Sequence, residues 1–355
     1  MYDFLIIGGG IAGCATAARL ADLGSVLLLE AEDGLGYHAS GRSAAMFEEN
    51  YGSPSTVALN RASRAYLEAA GVLSARGLLM VALGDEIPAF EDSLDDLGME
   101  EIALTAARDL VPILHDDVVR ASYHADAWDI DTDLLLQGFA RTARQAGAEI
   151  RVKSPVDAIS KSTQGWSVAV GEETFEGRIL INAAGAWVDQ VAQMAGLSPL
   201  GFVPHRRSMA RVSAPGGRDI SLWPMLFGPG ETWYAKPDAG KLLVSPADET
   251  PVEAHDAWAE DLTLAEGIAR YEAHVAEPVT RLEHSWAGLR TFAPDRSLVI
   301  GFDAHDPTFF WCAGQGGYGM QSSPGYSLLA ADLISGRAPE LDAGAVQALD
   351  PVRFR

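Results

Sequence analysis

Tyr2 to Ala31 reads YDFLIIGGGIAGCATAARLADLGSVLLLEA, and the rest of the chain is organised around it. Phe4-Leu5-Ile6-Ile7 is a short apolar run, as a strand buried on both faces of a parallel sheet requires. Gly8, Gly10 and Gly13 follow it. The first permits a tight turn, the second lets backbone approach a pyrophosphate, and the third lets a helix lie close on the sheet with its N-terminal amides toward the phosphates. Glu30 then ends a second apolar strand. About 20 residues beyond the glycines, it stands where a carboxylate accepts from the ribose hydroxyls of a dinucleotide. The stretch therefore predicts a dinucleotide-binding strand-helix-strand unit.

Composition narrows the class. The chain has 355 residues, 48% of them hydrophobic, enough for a sizeable core and for two domains. Its formal net charge of −23 opposes nucleic acid and anionic membrane surfaces, and neither is expected as a partner. Cys14 and Cys312 form no CxxC pair or disulfide framework, which fits a reducing cytoplasm. The apolar start lacks a basic n-region, carries Asp3 and is fully used by the nucleotide unit, so it is not read as a signal peptide. No run has the length of a membrane span, and the eight histidines show no ligand spacing, so no metal is expected.

Further along, Gly34 to Tyr51 (GLGYHASGRSAAMFEENY) is rich in small residues and reads as a loop pressed against a flat polar ligand, with Arg42 and its serines as phosphate contacts. Ser55 to Ala70 has helical spacing, Leu78 to Leu83 reads as a strand, and Pro88 to Leu97 as a helix with an acidic, solvated face. Asp131 to Gly147 predicts an amphipathic helix, and Ala148 to Val152 a strand back in the nucleotide unit. Trp166–Val170, Thr174–Arg178 and Ile179–Asn182 read as strands, the last leading into Ala183-Ala184-Gly185-Ala186-Trp187, a second close backbone approach. Pro199 to His284 reads as strands between Pro/Gly turns, a mostly antiparallel sheet. Near the end, the strand Phe309–Ala313 leads into Gly314-Gln315-Gly316-Gly317-Tyr318-Gly319-Met320-Gln321. Two glycine-rich cradles about 300 residues apart call for a ligand longer than a mononucleotide.

The order GGGIAG, Glu30, GRSAA, NAAGAW, WAGLR, GQGGYG resembles the D-amino acid oxidase superfamily of FAD-dependent amine oxidoreductases. GYHASGRSAA, PHRRS, WYAKP, WAGLR and GQGGYGMQ are similar to the bacterial D-arginine and D-amino acid dehydrogenases over nearly the whole chain. The resemblance implies an α/β fold, a Rossmann-like FAD-binding domain (1–77, 131–198, 285–355) interleaved with an α+β substrate domain (78–130, 199–284) on a mostly antiparallel sheet. It implies non-covalent FAD held by Gly8, Gly10, Ile11, Ala12, Gly13, Glu30, Ala31, Arg42, Ser43, Ala44, Val156, Ala184 and Gly185. Gly316, Gly317, Tyr318, Gly319, Met320 and Gln321 would stand near the isoalloxazine.

It also implies oxidative deamination of a D-amino acid, whose α-hydrogen leaves as hydride to flavin N5, and electrons passed to a quinone or another carrier. A protein serving such chemistry mainly positions its substrate. By resemblance, Arg207, Arg290, Tyr51 and Tyr234 clamp the carboxylate, the Gly317 carbonyl faces the amine, and Gly288 lies near the side chain. Two positions depart from the D-arginine pattern: Met46 replaces a histidine after GRSAA, and Leu79 stands where a glutamate meets a guanidinium. A neutral, medium-sized side chain is accordingly expected, unless Glu48 folds over the site and supplies a charge. Glycine or sarcosine oxidation, a nicotinamide-dependent dehydrogenase and a flavoprotein without amine chemistry are the alternatives.

Overall fold

In the computed structural model, which describes residues 1–355 except the side chains of Asp95 and Asp96, the first unit forms as read. Strand β1 (Tyr2–Ile7), helix α1 (Ile11–Leu20) and strand β2 (Val26–Leu29) follow one another, with β1 and β2 parallel. Helix α1 is built of small residues, and Ala12, Gly13, Cys14, Ala15, Thr16, Ala17 and Ala18 are all buried. It can therefore sit tightly on the sheet while helices Thr132–Gln145 and Ser323–Ser335 pack against it. A Cβ on Gly13 would lie 1.9 Å from the carbonyl oxygen of Gly8, closer than any atom pair tolerates. That contact is the physical content of the third glycine.

The sheet around β1 has eight strands. Strand Glu173–Asn182 runs parallel to β1, and β2 is flanked by the parallel strand Glu149–Arg151. On its other edge, Glu173–Asn182 pairs first with Gly165–Val170, antiparallel, and then with Phe309–Ala313, parallel. The two strands expected at Thr174–Arg178 and Ile179–Asn182 are thus one continuous ten-residue strand. Its partner changes half-way, and that change gives the sequence its appearance of a break.

A nine-stranded sheet carries the other half of the cleft. It is antiparallel except where Met225–Phe227 runs parallel to Leu78–Ala82. Strand Leu282–Phe292 pairs with Val203–Ser213 from Val203↔Phe292 to Val212↔Leu282. The return to the nucleotide unit expected at residue 285 therefore comes only after Phe292. The region 199–284 also holds a helix, Asp261–Ala273, that the strand-and-turn reading overlooked; its buried Leu264, Gly267 and Tyr271 have helical spacing. Helix Ile87–Leu97 forms where expected, although part of its acidic face lies on Asp95 and Asp96, outside the described side chains. No helix is long and apolar enough to cross a membrane, and no group of three or more His, Cys, Asp or Glu is placed to hold a metal among the described residues.

Gly13→Ala should lower the thermal unfolding midpoint by at least about 2 °C, because overpacking a close contact costs about 1 to 3 kcal/mol. Gly34→Ala, where a Cβ would meet nothing within 4 Å, should leave the midpoint unchanged in the same calorimetric comparison.

Candidate active site

A long cleft follows the carboxyl ends of β1 and its neighbours, and its cavities share walls. The first runs from Glu30, Ala31 and Val156 past Gly8 to Ala184 and Gly185. The second continues over Ile11, Ala12, Ser43 and Ala44 to Gly316, Gly319 and Met320. Gly10, Arg42, Gly185 and Gly288 line both. Such a trough fits an extended dinucleotide, and its chemistry agrees. The amides of Gly10 and Ala12 meet no acceptor among the described residues, so donors at the start of α1 are available to an anion. Glu30 accepts from the amides of Gly9 (2.6 Å) and Glu32 (2.9 Å), which fixes its carboxylate at the cleft's far end.

Several expected cofactor residues have other positions or tasks. Gly13 lies beneath the cleft and serves packing. The Arg42 guanidinium donates to the carbonyls of Tyr37, Ala257 and Ala287 and pairs with Asp256, so most of its donors are already used. It staples the 34–51 loop to the second sheet, and it is not a spare phosphate ligand. Tyr318 faces an outer cavity, its ring 5.1 Å from that of Tyr51, so it does not line the cofactor cleft. Ser40, overlooked in the sequence, accepts from the Ile11 amide at 3.0 Å and holds the loop against α1. Cys312 is wholly buried in its strand with its Sγ 3.5 Å from the Thr16 hydroxyl, and neither cysteine lines the cleft.

Beyond the second cavity lies a third, of about 120 Å³, joined to it at Ser43, Ala44, Tyr234, Arg290 and Gly317. Arg207 and Arg290 come from neighbouring antiparallel strands. Arg207 is opposite Gly288, so Arg290, two residues further, points to the same face. Arg207 is 8% exposed; its Nη2 donates to Glu249 at 2.9 Å, while Nε and Nη1 have no partner. Arg290 has neither an ion pair nor a side-chain hydrogen bond among the described residues, although it lines this cavity. A Cβ on Gly317 would lie 3.0 Å from its Cζ, so the guanidinium lies directly against that residue. Burial works against its charge, but Tyr51, Tyr234, Glu231 and Glu249 outweigh this and keep it protonated. Burial, followed by the nearby Glu231 carboxylate, pushes the Tyr51 phenol up, so it remains a neutral donor. At present it donates to Glu231 at 2.9 Å. Glu231 was not foreseen, since an acid in a GPGET turn gives no sign of facing a tyrosine 180 residues away.

The side-chain pocket needs two corrections. Leu79 is fully buried among Val81, Ala121, Leu226 and Ala235 in the core of the second sheet. The cavity wall is Leu78, because successive residues of a strand face opposite sides and the expected register was off by one. Gly288 lines the cofactor cleft and not this cavity. Met46 does line it, beside Met225 and Phe227. Glu48, expected to supply a charge only if its loop folds over the site, does line it and is only 4% exposed. Burial raises its carboxyl above the usual carboxylate range, opposed by the Asn50 amide and His124. Glu49 turns outward to Arg61 and Arg64.

The fold and this site define a flavin-dependent oxidoreductase. The family described as FAD dependent oxidoreductase (DAO) matches residues 3–333, and the chain belongs to it. A glycerol 3-phosphate dehydrogenase of Caloramator mitchellensis is 22% identical, over 96% of this chain and 75% of that protein. The sarcosine oxidase subunit beta of Rhizobium meliloti (strain 1021) is 25% identical, over 97% and 87%. The crystal structure of glycine oxidase from Geobacillus kaustophilus superposes with a TM-score of 0.83 at 24% identity, covering 96% of both chains, a likeness of fold. Members of this family bind FAD, and the cleft described here fits it.

Replacing Arg290 by Met should leave FAD bound but weaken a simple carboxylate such as 4-methylpentanoate at least about tenfold, read from its perturbation of the flavin spectrum. Equal affinity in the two proteins would contradict the anchor. Leu79→Ala should destabilise the fold by about 2 to 5 kcal/mol in a denaturant titration while leaving that carboxylate's affinity within about twofold.

Proposed function

We propose that the protein oxidatively deaminates a D-amino acid. The observation that carries this reading is Arg290, a guanidinium with no protein partner, set in a cavity joined to the cofactor cleft and flanked by the phenols Tyr51 and Tyr234. A bidentate guanidinium with adjacent phenol donors suits a carboxylate. Arg207, with two unpartnered nitrogens, strengthens the demand for an anion. With the carboxylate at Arg290, the family resemblance assigns the Gly317 carbonyl as acceptor for the substrate amine. Bound FAD would supply the two-electron oxidant, taking the α-hydrogen as hydride. The nitrogen lone pair then closes the C=N bond, and water converts the imino acid to a 2-oxo acid and ammonia.

This chain's contribution is positioning and exclusion of water. Met46, Leu78, Met225 and Phe227 form an apolar wall beside the anchor, with room for a side chain that glycine and sarcosine do not have. That wall favours a larger amino acid over the substrates named for the glycine and sarcosine oxidase relatives. The D configuration follows from the resemblance of GRSAA, WAGLR and GQGGYG to the D-amino acid dehydrogenases. With carboxylate, amine and flavin face fixed, only one order of the remaining substituents is accommodated.

Mixing the anaerobic holoenzyme with paired D- and L-amino acids should bleach the flavin faster with the D form for every side chain. Faster reduction by an L-amino acid would overturn the assignment. Readmitting air or adding a quinone analogue afterwards identifies which acceptor restores the oxidised spectrum, and the quinone is the expected one.

A further inference from the structure

Glu48 is a second charged group facing the substrate cavity, and nothing in the clamp uses it. Its position is fixed at both ends. Its backbone amide donates to Gln321 Oε1 at 3.0 Å, and its Oε1 accepts from the Asn50 amide at 3.1 Å. Its Oε2 is buried and accepts no hydrogen bond. His124 Nε2 stands 3.3 Å from that oxygen with no hydrogen bond between them. No ion pair joins Glu48 to Arg290 or to any lysine or arginine among the described residues. The other acid of the cavity, Glu231, is exposed and accepts from Tyr51. A buried carboxyl with a vacant acceptor is costly unless a donor completes it. Glu48 itself lines the substrate cavity, beside Met46 and Leu78.

We propose that Glu48 is the specificity-determining residue of the side-chain pocket, and that it selects amino acids whose side chain ends in a basic nitrogen, an ammonium or a guanidinium. The inference deepens the amino-acid reading above and rests on it for the carboxylate end. The substrate then bridges two groups that do not reach each other, its carboxylate on Arg290 and its distal cation on Glu48, while Met46, Leu78 and Met225 cover the methylenes between. The Leu78 strand carries no acid, so the charge comes from the loop after Ser43. It is built in by the hydrogen bond to Gln321 and is not mobile on an exposed segment.

The test uses the holoenzyme and two non-oxidisable probes, 5-guanidinopentanoate and its neutral isostere 5-ureidopentanoate, titrated by their perturbation of the flavin spectrum. The guanidino acid should bind about 10- to 100-fold more tightly, as a charge-assisted bond requires, and this preference should collapse toward unity in Glu48→Gln. Turnover of D-arginine against D-citrulline should follow the same ratio. Equal affinity of the two probes in the wild type overturns the proposal, and so does a preference that survives in Glu48→Gln. The wild-type comparison stands alone if that variant does not fold. If the guanidino probe is preferred but no D-amino acid reduces the flavin, the Glu48 assignment holds and the deamination reading fails. If neutral D-amino acids are oxidised without any preference for basic ones, the reverse is true.

Discussion

The site depends on two guanidiniums crowded onto one face of a paired sheet. Arg290 and Arg207 project to one face from adjacent strands, and among the described residues only Glu249 bonds to either of them. Like charges at such spacing repel, and taking them partly out of water raises the cost further. An anion between two such groups would remove both penalties. The surrounding architecture keeps the pair from finding a cheaper partner: Glu231 is bound by Tyr51, and Glu48 is held by Asn50 and Gln321.

Much of this was legible in the chain itself, for reasons that differ by element. The β1–α1–β2 unit could be read because each glycine answers a local constraint, and local constraints leave a local signature. The arginines of PHRRS and WAGLR were placed by family resemblance, and their convergence is a property of strand pairing, in which Arg207 meets Gly288 across the ladder. Register was the weak point. Leu78 and Leu79 are chemically identical, and only the neighbouring strands decide which one sees the cavity. Glu48 and Arg42 were harder to place for the opposite reason. A charged residue in a small-residue loop is ordinarily solvated, and the hydrogen bonds to Gln321, Ala257 and Ala287 hold these two in place. Such long-range bonds leave no trace in local pattern. Helix Asp261–Ala273 was visible in principle, since Leu264, Gly267 and Tyr271 carry its period, but the surrounding Pro/Gly turns drew the region toward strands.

The loop from Gly34 to Tyr51 connects the two halves of the cleft. Ser40 ties it to α1, Arg42 to the second sheet, and the Glu48 amide to the segment before helix Ser323–Ser335. Met46–Phe47 adds a short strand pairing with Trp128–Ile130. A segment so rich in glycine and serine would be flexible by composition. These bonds hold it in one shape against the cofactor and the substrate alike.

Strand Leu282–Phe292 carries Gly288 on the cofactor cleft and Arg290 on the substrate cavity. Gly288 and Arg290 are thus two residues apart on a paired strand, about 6.6 Å, and that spacing cannot change without breaking the ladder. Part of the opposite wall is less constrained, because Glu48 and Glu231 sit outside the paired strands. Substitution there can remodel what the cavity accepts while the reacting carbon keeps its place. A cavity divided in this way can change its lining on one side while the guanidinium on the other stays in register.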